Sequence, residues 1–440
     1  MCTASTDTSS TITGYTFDYG DGSAAVTDTT GTAAYTYARA GTYTVTLTVA
    51  DAAGNSASVT TTVTTSGSDF TPYGPARVLD TRSGLGQGGT VAPAKAGGTL
   101  KLEIAGNGSI PAGVTAVVVN ITVVDQSANG VIVAYPDGQS LPATSNLNYF
   151  SSNGPTSALV TMAVGSDGYI DLYNNAKGTV DVVGDVTGYY TRTSASGFTP
   201  LAPARVLDTR TTTGGHKGAL GSNAALTLTI AGADGGALPP GGITAVALNL
   251  TATGETKIGD LTAYPDGGAL PASSSLDYRA GVDTANYAVV PVGADGKIDI
   301  DNESGGTTNV VADVTGYFSA DGASSYLPVA PTRSLDTRTL PAGTVCADCA
   351  AQDDQLTSSA GDATAYSLTV TAIAPSANGA AIVYPADSPL PATSEMNWLV
   401  GESIANFVYI APSPTGIYVY NDSAGTVNFT VDEYGYFSNH

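Results

Sequence analysis

The residues best suited to hold a charged group recur in one short motif. Six of the nine arginines stand in three copies of an eight-residue segment, Pro-Ala-Arg-Val-Leu-Asp-Thr-Arg twice and Pro-Thr-Arg-Ser-Leu-Asp-Thr-Arg once. The charged residues are Arg77, Asp80 and Arg82, then Arg205, Asp208 and Arg210, then Arg333, Asp336 and Arg338. In an extended segment the Asp and the second Arg share a face, and the first Arg lies on the other side.

Two interpretations of this motif remain open. A guanidinium beside a carboxylate forms a bidentate, charge-assisted ion pair. Such a pair predicts a partly buried staple that fastens the first strand of a domain. The same groups could instead bind a sugar acid or a peptide carboxylate. Loss of stability in Arg82→Ala would favour the staple.

A second repeated marker combines an aromatic ring with a carboxylate. Tyr-Pro-Asp-Gly occurs at 135–138 and 264–267, and a degraded copy stands at 384–387. Proline and glycine at these places predict a hairpin turn. The alternative is a glycan or calcium site in which a ring stacks on a sugar beside polar groups. The candidate residues are Tyr135, Asp137 and Asn148, then Tyr264, Asp266 and Asp277, then Tyr384, Asn397 and Trp398, where Trp398 has core packing as its alternative.

The sequence gives little support to catalysis. The two histidines, His216 and His440, lie in no motif that would seat a Ser–His–Asp triad. No EF-hand loop or zinc signature occurs, so calcium at a weak site is the one candidate cofactor. Cys346 and Cys349 are spaced for a local disulfide, with free thiols as the alternative. We therefore predict no catalytic residues and a protein that is not an enzyme.

Composition narrows the class of protein further. The formal charge of −23 and a pI near 4.1 argue against nucleic acid and anionic membranes as partners. No apolar run is long enough to span a bilayer, so membrane insertion is not expected. Six of the 38 acidic residues are Glu, and the remainder are Asp, which favours turns. With abundant Thr, Val, Tyr and Gly, this composition indicates an all-β fold.

Three markers repeat in the same order and divide the chain. The Arg-rich motif recurs at a spacing of 128 residues, and Asp-Val-Thr-Gly-Tyr-Tyr, with its variants, closes each copy. A period of this length is a whole domain rather than a solenoid rung. Each copy reads as seven or eight short strands, which predicts three jelly-roll-like antiparallel sandwiches. Their ranges are 70–193, 197–321 and 326–438, called repeats 1, 2 and 3 below.

The first 66 residues follow a different pattern. Phe-Asp-Tyr-Gly-Asp-Gly at 17–22 and Tyr-x-x-x-Gly-x-Tyr-x-Val-x-Leu-x-Val, which ends at Val49, stand in this segment. The segment resembles the PKD (polycystic kidney disease) domain, an immunoglobulin-like sandwich. The opening strand of that family is absent before Cys2, which would leave an unpaired edge. The plain interpretation is that the sequence starts within a longer secreted polypeptide. The alternative is self-association of molecules through this edge of the PKD-like segment.

The three longer copies resemble repeats that close many secreted actinobacterial proteins. The resemblance covers 70–438 and rests on the three markers quoted above. It implies an extracellular or cell-wall setting and no established activity. The third copy departs from the pattern at Ala386, Glu433 and Tyr434.

Together these features predict four β-sandwich domains in a string, joined by polar linkers such as 65–68. The leading functional hypothesis is a non-enzymatic, secreted or wall-associated protein that binds polysaccharide or another cell-envelope glycan through repeated weak sites. The alternative is a structural stalk or self-assembling surface element, as the C-terminal part of a larger secreted hydrolase.

Overall fold

The computed structural model describes residues 10–35, 37, 41–193, 195–340, 345–356 and 362–439. Their regular secondary structure is almost entirely antiparallel β-strand, so the all-β sandwich prediction is confirmed. The PKD-like segment contributes one four-stranded sheet in the order β2-β1-β3-β4. Its strands are β1 (Ile12–Asp18), β2 (Val26–Asp28), β3 (Thr42–Asp51) and β4 (Ser56–Thr64).

Each repeat contains eight strands in the same succession. Repeat 1 has β5 (Asp69–Asp80), β6 (Thr99–Glu103), β7 (Val114–Val124), β8 (Gly130–Pro136), β9 (Leu147–Tyr149), β10 (Thr156–Ala163), β11 (Tyr169–Asn174) and β12 (Asp181–Thr191). Repeat 2 has β13 (Gly197–Asp208), β14 (Ala224–Thr229), β15 (Ile243–Thr253), β16 (Gly259–Pro265), β17 (Leu276–Tyr278), β18 (Thr284–Pro291), β19 (Lys297–Ser304) and β20 (Asn309–Ser319). Repeat 3 has β21 (Ser324–Asp336), β22 (Cys349–Asp353), β23 (Ala363–Ile373), β24 (Gly379–Pro385), β25 (Met396–Trp398), β26 (Ile404–Ile410), β27 (Ile417–Ser423) and β28 (Asn428–Asn439).

Two four-stranded sheets make each repeat a sandwich. In repeat 1 the inner sheet has the order β10-β7-β12-β5 and the outer sheet the order β6-β11-β8-β9, and the other repeats follow the same plan. Strand β7 is buried along nearly its whole length because it is an internal strand of the inner sheet, between β10 and β12. This position explains its continuous apolar run.

The three repeats close into a ring instead of forming the expected string. The equivalent inner strands β10, β18 and β26 contact one another, so they surround a common axis. Strand β10 also contacts β17, β18 contacts β25, and β26 contacts β9, which carries the contacts from each repeat to the next and back to the first. The inner sheets of repeats 2 and 3 join through a pairing of Phe198 with Ser324.

Aromatic side chains from all three repeats fill the centre of this ring. Phe70, Phe198 and Phe318 form a continuous group in which the ring centroids of Phe70 and Phe318 are 4.2 Å apart. Phe437 stacks on Phe198 at 4.3 Å, and Tyr409 lies edge-on to Phe437 at 5.0 Å. A shared core of this kind makes the repeats mutually dependent, because each would expose part of it alone.

One side chain crosses completely from repeat 3 into repeat 1. Tyr434 is fully buried and belongs to the apolar cluster formed by residues of repeat 1. The equivalent positions in repeats 1 and 2 are Thr187 and Thr315. The variant third marker therefore supplies the contact through which the last repeat packs on the first.

Candidate functional site

The arginine motif forms two bidentate ion pairs in each repeat. In repeat 1, Nε and Nη2 of Arg77 donate to the carboxylate of Asp185 at 2.9 and 3.1 Å. Arg82 donates to both oxygens of Asp80 at 2.9 and 2.8 Å. The same pairs are Arg205–Asp313 and Arg210–Asp208 in repeat 2, and Arg333–Asp432 and Arg338–Asp336 in repeat 3.

A β-bulge corrects the expectation that the first arginine lies on the opposite face. Strand β5 pairs Leu79 with Gly184 and Arg77 with Asp185, so Val78 is an extra residue on β5. The extra residue breaks the two-residue alternation. Nη1 of Arg77 consequently lies 3.8 Å from Asp80, on the same side as Arg82.

The Asp carboxylate of each first ion pair also faces a backbone N–H group of the neighbouring repeat. The backbone N–H of Ser145 in repeat 1 donates to Asp432 of repeat 3 at 3.3 Å. The backbone N–H groups of Ser274 and Ser394 lie at the equivalent places beside Asp185 and Asp313 and act to lower the pKa of these carboxyl groups. We call each Arg–Asp pair together with this backbone donor a clasp. All three clasps join one repeat to the next.

Burial and charge act oppositely on these carboxyl groups. Burial raises the pKa of Asp185, Asp313 and Asp432, and the adjacent guanidinium works against that rise. Asp80 differs because the hydrogen bonds from Arg82 lower its pKa. Removal of the arginine of a clasp would leave a buried carboxylate without its counter-charge.

Two of the three interfaces carry a further asparagine pair. Asn120 donates to the carbonyl of Ser274 at 2.7 Å and accepts from Asn286 at 2.9 Å. Between repeats 2 and 3, Asn249 and Asn406 repeat these contacts. Between repeats 3 and 1, the corresponding positions are Thr369 and Ala158, and the buried hydroxyl of Thr369 has no hydrogen-bond partner.

A polar groove of about 290 Å³ opens between repeats 1 and 2. Repeat 1 supplies Arg77, Arg82 and Thr122 to its wall, and repeat 2 supplies a set of acidic and hydroxyl side chains. The volume is close to the lower limit of small-molecule sites. The two arginines keep their own carboxylate partners, so the net charge of the groove comes from the wall of repeat 2.

Three carboxylates stand in a row on that wall. Asp260 on β16 pairs directly with Glu303 on β19 and with Asp277 on β17. Like charges directly opposite each other on a sheet are destabilising. Burial raises the pKa of Asp260 to about 7, and the charges of Asp277 and Glu303 add to that rise. We call these three residues the acidic row.

The acidic row occurs at one interface. Its register positions hold Asn175, Val131 and Asn148 in repeat 1. In repeat 3 they hold Asp422, Ala380 and Asn397. At these register positions repeat 2 thus has three carboxylates, repeat 3 has one and repeat 1 has none, although the strand pairing is the same in all three.

The aromatic residues of the second sequence marker are packed rather than exposed. Tyr135, Tyr264 and Tyr384 are 6–7% exposed, and Trp398 is 3% exposed with its indole N–H donating to the carbonyl of Ala377 at 3.0 Å. The interpretation of these rings as glycan-stacking platforms is corrected, because a buried ring presents no face to a sugar. For Trp398 the core-packing alternative holds.

The marker carboxylates lie at turns on the outer sheets. Asp137 forms an ion pair with Lys101, which also contacts Asp167 at 2.8 Å. Hydrogen bonding to Asp295 raises the pKa of Asp266, the equivalent residue in repeat 2. A backbone hydrogen bond from Gly268 to Pro265 closes the turn there. The marker thus separates from Asn148, Asp277 and Asn397, with which it was expected to form one site.

Those three residues instead meet near the axis. Asn148, Asp277 and Asn397 line one small cavity of about 40 Å³ that is shared by all three repeats. Arg279 spans it by donating to Asn153 at 2.8 Å and to Glu402 at 3.2 and 2.8 Å. One guanidinium of repeat 2 therefore bridges repeats 1 and 3.

The predicted cysteine pair and the search for metal ligands and membrane helices complete the description of the candidate sites. Cys346 and Cys349 form a disulfide. Within the described ranges, no group of three or more His, Cys, Asp or Glu side chains is arranged to hold a metal ion. No helix in that part of the chain is long and apolar enough to cross a membrane.

Several functional positions were not singled out from the sequence. Asp260, Glu303 and Arg279 lie in no repeated motif, because they are unique to repeat 2. A position-by-position comparison of the three copies would have found them. Tyr434 was noted as a departure, but its insertion into another repeat could not be read from the pattern.

Comparisons with known proteins give one family match and several weakly similar solved structures. Residues 1–66 match the PKD domain family. No curated protein matches the chain. Similar solved structures include a carbohydrate-binding module of the β-sandwich superfamily (18% identity, 41% of this chain, 87% of that chain, TM-score 0.16) and a triple jelly-roll protein of an archaeal virus turret (7%, 79%, 84%, 0.18).

A third similar structure is a Bacteroides ovatus protein of the mixed-linkage glucan utilization locus in complex with a heptasaccharide. It has 13% identity, covers 96% of this chain and 88% of that chain, and has a TM-score of 0.13. Overlaps this weak carry no conclusion about this chain. By sequence, residues 1–66 are similar to PKD domains, and by structure the remainder is a set of β-sandwiches.

Proposed function

We propose that this protein is a non-enzymatic extracellular binding protein, and that the groove between repeats 1 and 2 binds a polysaccharide or another cell-envelope glycan. The observation that carries the proposal is the acidic row in a groove of about 290 Å³. A row of like charges costs stability, so it is expected where binding requires it.

The groove chemistry suits a polyhydroxylated ligand. Carboxylates accept hydrogen bonds from sugar hydroxyls, and the guanidinium of Arg82, which is partly exposed, donates to ring or hydroxyl oxygens. Thr122 and Ser274 add hydroxyl groups from the two repeats. Asp277 keeps its hydrogen bonds to Ser274 and Thr122, so one end of the acidic row is preorganised.

The ring arrangement of the repeats changes the multivalent binding expected from a string of domains. Repeated equal sites along a rod are replaced by three walls of different charge around one body. We therefore propose one principal groove per chain. Multivalent attachment to a polymer would come from several molecules on one surface.

The test is retention of the full chain on insoluble chitin, cellulose and peptidoglycan. We expect the wild type to be retained on at least one polymer and Asp260→Asn/Glu303→Gln to bind at least tenfold more weakly. Asp422→Asn, at the register position of Glu303 in repeat 3, is the matched control and should bind as the wild type does. Equal binding by the double variant would overturn the assignment of the groove.

The structural alternative has its own supporting observation. The shared aromatic core and the three clasps make a closed body suited to a stalk or surface element. If none of the three polymers retains the wild type, this alternative is favoured over glycan binding.

A hydrolase reading of the acidic row is tested in the same experiment. Asp260 and Glu303 lie on neighbouring strands, and the pKa of Asp260 is raised as in a general acid. We expect no release of reducing ends from any polymer.

A further inference from the structure

A buried carboxylate without a hydrogen-bond donor lies outside the groove. Glu255, between β15 and β16 of repeat 2, is 4% exposed. Neither of its carboxylate oxygens has a hydrogen-bond partner in the structure. The backbone N–H groups of Glu255 and Val282 lie near the carboxylate and act against the rise in its pKa that burial causes. A buried charge in this condition requires a partner.

Repeat 1 shows what this position requires. Gln126 takes the place of Glu255, and its amide donates to the carbonyl of Phe150 at 3.1 Å and to that of Gly154. The neighbouring contacts match, because Ser127 bonds to Thr179 as Thr256 bonds to Thr307. In repeat 3 the position is Pro375, whose carbonyl accepts from Gly401 as that of Glu255 accepts from Gly281.

The exchange of Gln for Glu reverses the hydrogen-bonding character of the position. An amide NH₂ that donates to two carbonyl oxygens becomes a carboxylate oxygen that can only accept. Asp283, an exposed residue of the overlying 279–283 loop, adds a second negative charge that acts on Glu255. Carboxylate oxygens and backbone carbonyl oxygens are the ligands that a hard cation binds.

Among the described residues, no basic side chain forms an ion pair with Glu255 or Asp283. The charge of Arg210 acts on Asp283, but Arg210 is paired with Asp208. Arg279, the nearest arginine along the chain, is committed to Asn153 and Glu402. Lys257 lies against Gly305 instead. The negative charge of Glu255 and Asp283 is therefore left for a ligand from solution, which can enter at the exposed Asp283.

We propose that Glu255, Asp283 and backbone carbonyls of the 279–283 loop bind a hard divalent cation, with calcium as the fitting extracellular ion. The ion would replace the amide of Gln126 as the link between the strand end and the loop. Because the loop carries Arg279, the bound ion also stabilises the bridge to repeats 1 and 3.

The experiment measures calcium binding and thermal unfolding of the full chain after treatment with EDTA. Calorimetric titration with CaCl₂ should show one weak site in the wild type and none in Glu255→Gln. With 10 mM CaCl₂ the Tm of the wild type should rise by about 1–3 °C. Glu103→Gln, an exposed substitution of the same chemistry on β6, should respond as the wild type does.

The variant also separates a cation from a proton. Glu255→Gln should unfold without calcium at or above the Tm of the calcium-free wild type, because its amide can donate as Gln126 does. Calcium binding that persists in Glu255→Gln would overturn the site. If calcium leaves the Tm of the wild type unchanged and only acidification raises it, a proton is the occupant of the site and the proposal is overturned.

Discussion

The interface between repeats 1 and 2 and the interface between repeats 3 and 1 each contain a clasp, but they differ in most of their other contacts. The first has the Asn120–Asn286 pair and the acidic row. The second has an unpartnered Thr369 hydroxyl, no acidic side chain in the row positions and the inserted ring of Tyr434. The difference separates residues that assemble the ring from residues that give one groove its chemistry.

The clasp arginines should produce the largest effect, and it should be similar at every interface. Arg77→Ala leaves Asp185 buried without a counter-charge, so the free energy of unfolding should fall by about 3–5 kcal/mol. Arg333→Ala at the other interface should cost a comparable amount. Chemical denaturation measures both. A clear loss at one interface and none at the other would contradict a shared assembling role.

Tyr434 should be the next largest contribution and specific to ring closure. Tyr434→Ala empties a fully buried site in the core of repeat 1 and should cost about 3 kcal/mol. Tyr418→Ala, on the partly exposed outer sheet of repeat 3, is the matched control and should cost much less. Hydrogen exchange should show the loss of protection in repeat 1. Loss confined to repeat 3 would refute the crossing contact.

The asparagine pair gives a smaller and more direct contrast. Asn120→Ala removes the donor to Ser274 and leaves Asn286 with a lost partner, so it should destabilise by about 1–3 kcal/mol. Thr369→Ala removes a hydroxyl that has no partner and should change stability by less than about 0.5 kcal/mol. Equal costs in thermal unfolding would show that the two interfaces are satisfied alike.

The acidic row should give the smallest effect, visible as a pH dependence. The pKa of Asp260 is raised to about 7, so the folded state binds a proton more tightly than the unfolded state does. Its contribution is present below about pH 4 and is lost as pH rises towards 7. Asp260→Asn should therefore stabilise the chain at pH 8 by on the order of 1 kcal/mol and flatten the profile between pH 4 and 8. A steeper profile in Asp260→Asn would contradict this sign.

Much of each repeat could be predicted from the sequence, because alternation and turn residues are local. The buried run at 116–124 lies within β7, and the Tyr-Pro-Asp-Gly segments close turns. The ion pairing of Asp80 with Arg82 also followed from spacing. The partner of Arg77 did not, because Asp185 is 108 residues away and a bulge sets the face.

The assembly of the repeats was beyond these signals. Phe70, Phe318 and Phe437 look like ordinary core residues of separate sandwiches, and only their mutual contacts reveal a common centre. The candidate site changed for the same reason. Asp277 was singled out beside Tyr264, whereas its register partner is Asp260. Asp277 also lines the groove that the arginines of repeat 1 line from the other side.

The inserted ring of Tyr434 imposes an order on biosynthesis. Repeat 1 leaves the ribosome before repeats 2 and 3, but a side chain some 240 residues downstream of β12 completes its interior. Until that residue emerges, the nascent chain exposes an apolar gap in repeat 1, a surface on which incomplete chains can aggregate. Completion of repeat 1 thus awaits the last strand of repeat 3.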